Sequence, residues 1–222
     1  MFRNRLALAL ALCSLPTLAP AGSGYTAAGA PCVALTFDDG PQRTLTPELL
    51  ALLNARGIHA TFYLVGNRVA QWPDVVRAEI ADGDEVGNHS YDHKLVTRLS
   101  REAAEAEYVR TDAAIEAALG TDAPPATLRA PYGAVRRTTK TEFAPRPFIA
   151  WTIDTLDWKY PDSARIARIV IEKSRPGAIV LMHDIHAKTI TAVPAIIVGL
   201  ERRGFVFVTV SELINNCIYA AP

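Results

Sequence analysis

The chain has 222 residues, half of them apolar, with 23 Lys and Arg set against 23 Asp and Glu, so its formal net charge is zero. This composition can bury a substantial core without cross-links and excludes a disordered chain. The charge balance excludes a protein whose affinity comes from neutralising nucleic-acid phosphates, because that needs a basic excess on at least one face.

The first 21 residues read as a secretory signal. Arg3 and Arg5 form a basic start, Leu6 to Leu15 is an apolar run broken by Pro16, and Ala19-Pro20-Ala21 has the small-x-small pattern that signal peptidase cuts. Ten apolar residues are roughly half of what spans a bilayer, so the segment predicts export, to the periplasm or outside the cell, without a stable membrane anchor. Leu12 precedes Cys13 where a lipoprotein signal has a small residue. Removing 21 of 222 residues leaves 201, and losing two arginines turns 23 against 23 into 21 against 23, a charge of −2. Residues 22–31 then read as a linker, 32–216 as one domain and 217–222 as a tail. Cys32 and Cys217 lie near opposite ends of this mature chain. In an oxidising compartment they pair or remain as two buried thiols, and neither has the Cys-x-x-Cys spacing of a zinc or redox site.

Strands and helices alternate from there. Cys32 to Phe37 is an apolar run ending in Asp38-Asp39-Gly40-Pro41, a buried strand entering a tight turn. Pro47 to Arg56 has helical periodicity and stops at Gly57. Ala60 to Val65 reads as strand, Trp72 to Ala81 as helix, Glu85 to Asn88 as a short strand, and Arg101 to Leu119 as a long helix capped by Ser100 and ended by Gly120. After Pro124-Pro125 come a short strand around Leu128, a helical or irregular stretch over Val135 to Phe143, and a strand from Phe148 to Ile153. Ser163 to Ser174 is read as helix, Ala178 to Met182 as strand, Thr191 to Arg202 as helix and Phe205 to Val208 as the last strand. About seven strands written as continuous apolar runs, with helices between, predict an α/β fold with a parallel sheet covered on both sides. Closure into a barrel accounts for one further regularity. Asp38-Asp39, His89 to His93, Arg129 to Tyr132, Asp154 to Trp158 and His183-Asp184 each directly follow a strand, and a parallel barrel opens every strand C-terminus onto one face.

Two histidines at i and i+4, His89 and His93, lie on one face of a helical turn at a spacing that suits one tetrahedral metal; two polar surface histidines are the alternative. A catalytic metal needs a third protein ligand. Asp38 and Asp39, adjacent at the buried end of an apolar strand, repel each other and are costly to desolvate unless something positive lies nearby. Their side chains diverge in an extended segment, so one can bind a metal while the other acts on its water.

These residues resemble the polysaccharide deacetylases, carbohydrate esterase family 4, also called the NodB-homology domain. The resemblance runs from Val33 to about Leu213 and rests on five short motifs in order: TFDDGP at Thr36 to Pro41, HSYDH at His89 to His93, RAPYG at Arg129 to Gly133, DTLDW at Asp154 to Trp158, and LMHD at Leu181 to Asp184. It implies a distorted (β/α) barrel of about seven parallel strands and a monomeric hydrolase that removes acetyl groups from an acetylated polysaccharide or oligosaccharide. The implied cofactor is a divalent metal, most often Zn²⁺, with Co²⁺ or Ni²⁺ as substitutes. Carried over by position, Asp39, His89 and His93 would hold the metal and Asp38 would be the general base. Arg129 would hold Asp38 ionised, the backbone N–H of Tyr132 would serve the oxyanion, and His183 would be the general acid. Asp154 is preferred as the residue that orients His183, with Asp157 as the other candidate. Trp158 and Leu181 would line the pocket for the acetyl methyl group, Trp151 is read as core, and His186 as a solvated loop residue. Tyr91 and Asp92 either contact sugar or complete the turn between the two histidines.

The expected substrates are chitin oligosaccharides or the N-acetylglucosamine of peptidoglycan. An O-acetyl xylan esterase would use the same site, and a silent glycan-binding protein would have lost Asp38 or a ligand. Lys94 stands where the family often has Pro, and Pro145 and Pro147 replace a Gly-marked helix end; both departures bear on the groove rather than on a catalytic position.

Overall fold

The structure is a computed structural model that describes residues 29–143 and 145–217. The signal segment, most of the linker and all but the first residue of the tail lie outside the described residues. Six parallel strands form one sheet: β1 (Cys32–Asp38), β2 (Thr61–Leu64), β3 (Glu85–Asn88), β4 (Ile153–Asp154), β5 (Ala178–His183) and β6 (Val206–Phe207). Their order is β3-β2-β1-β5-β4, with β6 paired to the first residues of β1. Isolated parallel bridges then link Asn88 to Leu128 and Leu128 to Phe148, and the chain runs from Phe148 into β4. The result is a distorted (β/α) barrel. The expected strand at Leu128 is reduced to these bridges, and the strand expected over Phe148 to Ile153 pairs regularly only at Ile153 and Asp154.

All seven residues of β1 are buried, which is why its sequence is apolar on both faces. Val33, Leu35 and Phe37 face a core shared with the surrounding helices, where Phe37 stacks on Phe62 at 5.4 Å. The alternate residues Ala34, Thr36 and Asp38 therefore face the barrel interior. The same alternation in β5 sends Val180 and Met182 to the outer core and leaves Leu181 and His183 on the inner face.

Among the described residues, seven helices of six residues or more surround the sheet: α1 (Leu45–Asn54), α2 (Gly66–Gln71), α3 (Pro73–Ala81), α4 (Arg101–Leu119), α5 (Arg137–Glu142), α6 (Ser163–Lys173) and α7 (Ala187–Glu201). Ser100 caps α4 by accepting the Ala103 N–H at 3.2 Å, and Gly120, at φ 67°, ends it in the left-handed conformation. The sequence reading missed α2, which has fewer than two turns and no apolar stripe. α7 begins one turn before the expected Thr191, with Pro194 inside it. Cys32, on β1, forms a disulfide with Cys217, their Cα atoms 6.3 Å apart, and so ties the end of the chain to the first strand. Among the described residues no helix is long and apolar enough to cross a membrane.

Candidate functional site

The register of β1 against β5 sets Asp38 directly opposite His183 and Thr36 opposite Leu181. Both strands point these residues inward, so the two ionisable groups share one mouth of the barrel. A cavity of about 380 Å³ opens there. Asp38, Asp39, His89, His93, Tyr132, Asp154, Trp158, Leu181 and His183 all line it, although they come from five separate stretches of sequence. Trp151, expected in the core, lines it as well and is only partly buried. Its position just before β4, where the chain is not yet in the sheet, turns the indole toward the opening instead.

One ligand atom from each of Asp39, His89 and His93 lies within 4.8 Å of the others. His93 Nε2 is 3.2 Å and His89 Nε2 3.5 Å from the same oxygen, Asp39 Oδ1. That oxygen is buried and has no hydrogen-bond partner among the described residues. The His89 ring is held by its other nitrogen: Nδ1 lies 2.9 Å from the Arg129 carbonyl, which can only accept, so Nδ1 carries the proton and the Nε2 lone pair faces Asp39. Burial pushes the pKa of His89 down to about 3 against the pull of the Asp39 charge, which keeps the ring neutral. A neutral imidazole, a second imidazole and an orphaned carboxylate oxygen converging on one point fit a divalent cation.

Asp38 is almost wholly buried beside this cluster, and burial raises its pKa. Arg129, fully buried, opposes that rise. Its Nη1 donates to Asp38 Oδ1 and to Thr36 Oγ1, each at 2.7 Å, and its Cζ lies over the Tyr63 ring, 4.0 Å from the centroid. A buried guanidinium without this carboxylate would be several kcal/mol worse off, and the reverse holds equally. Nε and Nη2 donate to the carbonyls of Ile149 (3.3 Å) and Ala150 (3.4 Å).

His183 departs from expectation in its partner. Nδ1 contacts Asp157 Oδ1 at 2.7 Å, and Asp157 Oδ2 accepts both the His183 backbone N–H (2.9 Å) and the Thr189 hydroxyl (2.6 Å). Asp154, the residue preferred from sequence, instead accepts the Leu156 N–H at 2.8 Å and lines the cavity. The reason is the tight turn between them. Leu156 has φ 54°, and this left-handed step directs Asp157 back under the histidine. Burial alone would lower the His183 pKa, but Asp157 and the more distant charges of Asp38 and Asp39 outweigh it and push it up to about 9. Burial would likewise raise Asp157, yet His183 and Thr189 hold it below the usual carboxylate range.

Four further backbone positions in and beside the site are strained: Asp39 (φ 74°), Ser90 (66°), His93 (54°) and Tyr132 (59°). Such conformations are uncommon outside glycine and persist where surrounding contacts fix them. Tyr132 and Trp158 are both mostly exposed, and the Tyr132 ring meets His93 edge-on at 4.8 Å. Asp184, next to His183 in sequence, does not line the cavity. It is buried, accepts a hydrogen bond from Thr46 Oγ1 and fills the space that a side chain at Gly40 would need, so it braces the turn after β1. His186 is half-buried, with its ring 5.8 Å from that of His183, rather than free in solvent.

The sequence profile of the family described as polysaccharide deacetylase matches residues 26–145. Over 181 residues, 82% of this chain, 39% are identical to a peptidoglycan-N-acetylglucosamine deacetylase, PgdA, of Listeria monocytogenes; the matched region is 38% of that protein's length. A chitooligosaccharide deacetylase of Bradyrhizobium sp. is 35% identical over 193 residues, 80% of this chain and 88% of the relative. A solved structure described as a T48 deacetylase with substrate superposes with a TM-score of 0.80 at 40% identity, covering 86% of this chain and 94% of the other. Motifs, barrel and site geometry agree with these matches, and the chain belongs to the polysaccharide deacetylase family.

Proposed function

We propose that the protein is a metal-dependent deacetylase acting on N-acetylated glycans, with chitin oligosaccharides or peptidoglycan N-acetylglucosamine as substrate. The observation that carries this reading is the pairing of Asp38 and His183 across one cavity, beside an orphaned Asp39 oxygen and two imidazoles. Asp39, His89 and His93 hold the metal in this reading. A bound divalent cation supplies Lewis-acid polarisation of a carbonyl and lowers the pKa of a coordinated water.

Asp38, kept ionised by Arg129, accepts a proton from the attacking water as it adds to the acetyl carbonyl. The Tyr132 N–H donates to the developing oxyanion. His183, protonated at neutral pH, gives its proton to the departing sugar nitrogen, and acetate and a free amine result. Asp157 takes the supporting role assigned to Asp154 from sequence, because it holds Nδ1 and leaves Nε2 as the donor. Leu181 and Trp158 shape the apolar wall that accepts the acetyl methyl group. A secreted or periplasmic location follows from residues 1–21 and from the glycan substrate.

The test is acetate release from N-acetylglucosamine oligomers, peptidoglycan and acetylated xylan, with chelator and with added zinc. Release from the first two, abolished by chelator and restored by zinc, is the expected result. No release from any of them overturns the proposal, and release from xylan alone replaces it with O-acetyl esterase activity.

A further inference from the structure

We propose that Glu107, on α4, is a positioning residue that holds the metal ligand His93 in place, with Lys94 as its counter-charge. The inference rests on the reading of Asp39, His89 and His93 as a metal site. His93 ends a turn in which Ser90 and His93 itself both have left-handed backbones, φ 66° and 54°. Neither is glycine, so the turn needs outside contacts to stay in this shape.

Those contacts account for its backbone polar groups from both sides. The carbonyls of Ser90 and Tyr91 accept the N–H groups of Gly66 (3.0 Å) and Asn67 (3.1 Å) at the start of α2. The N–H groups of Tyr91 and Asp92 both donate to one oxygen of Glu107, Oε2, at 3.1 and 2.7 Å. The other oxygen accepts from Lys94 Nζ at 3.0 Å, and Lys94 also reaches Asp92 Oδ2 at 2.7 Å. Only 4% of the Glu107 side chain is exposed, and it takes no part in lining the cavity. A buried carboxylate is costly unless its oxygens are satisfied, and here one oxygen holds the turn while the other meets Lys94, the residue that follows it.

His89 has independent anchors, its backbone N–H on the Leu64 carbonyl at 2.9 Å and its ring on Arg129. Loss of Glu107 should therefore fall on His93 alone and leave an incomplete ligand set. Residues that orient metal ligands in this way typically change affinity by about 10- to 100-fold.

The experiment measures zinc affinity by competition with a chromophoric chelator, together with the visible spectrum of the cobalt(II)-loaded protein, for Glu107→Ala, Glu107→Gln, Lys94→Met and His93→Ala. Glu107→Ala should bind zinc about 10- to 100-fold more weakly and shift the cobalt spectrum toward that of His93→Ala. Glu107→Gln keeps an amide oxygen for the two N–H groups and should lie closer to the wild type. Wild-type affinity and spectrum in Glu107→Ala overturn the inference. If Glu107→Ala fails to fold, unchanged affinity in both Glu107→Gln and Lys94→Met overturns it. His93→Ala separates the two levels: if it too binds zinc normally, the metal-site reading fails, and if it alone is weakened, only the role of Glu107 fails.

Discussion

Asp157→Asn removes the charge that holds His183 protonated while leaving an amide of the same shape beside Nδ1. The His183 pKa stands at about 9. Without the carboxylate it should fall to about the ordinary ~6.5, with burial pulling it down and the more distant Asp38 and Asp39 charges opposing. At pH 8 the protonated fraction then drops from roughly 90% to about 3%, on the order of a 30-fold loss of the acid form. A bound cation would weaken the pull of Asp38 and Asp39 on His183, but the direct contact with Asp157 would remain. The linked stability has the same sign. A pKa raised on folding contributes stability present below about 6.5 and lost as pH rises through about 9, here on the order of 3 kcal/mol. The assay is acetate release from N-acetylglucosamine oligomers between pH 5 and 10, with an NMR titration of the His183 ring. The alkaline limb should move down by about 2.5 units in Asp157→Asn and stay in place in Asp154→Asn, whose carboxylate is engaged with Leu156. An alkaline limb unmoved by Asp157→Asn would refute the reasoning.

Asp38→Asn should keep zinc affinity near that of the wild type and lower turnover by about 10²- to 10⁴-fold, whereas His93→Ala should lose affinity as well; full activity of Asp38→Asn would remove it as the base. Cys217→Ser opens a loop closed across 185 residues, and chain entropy puts the loss at up to about 5 kcal/mol. Thermal unfolding of the wild type with and without reductant reads this effect, and a transition insensitive to reductant would contradict it.

What could be read from the sequence followed from how locally each feature is encoded. The motifs sit at strand ends and a parallel barrel opens every strand end onto one face, so Asp38 and His183 could be brought together without coordinates, while Leu181 came only from the family resemblance. Asp157 could not be separated from Asp154, because the choice depends on one left-handed residue, Leu156, whose side chain gives no hint of its backbone. Trp151 looked like core because an apolar run reads as strand, yet the chain joins the sheet only at Ile153. Glu107 was invisible for a different reason: within a helix rich in Ala and Glu, nothing local distinguishes the one glutamate whose partners lie in a distant turn.

Arg129 contacts three walls of the barrel at once. It grows from the chain beside Leu128, donates to Ile149 and Ala150, and holds Asp38 and Thr36 on β1. Around Leu128 and Phe148 the sheet is held only by isolated bridges, which makes this stretch a seam in the enclosure. One guanidinium therefore both stitches the seam and favours the charged form of Asp38. Any fluctuation that opens this wall also withdraws the counter-ion from Asp38, so under the proposed mechanism a partly frayed molecule would be inactive rather than a loose catalyst with an altered pocket.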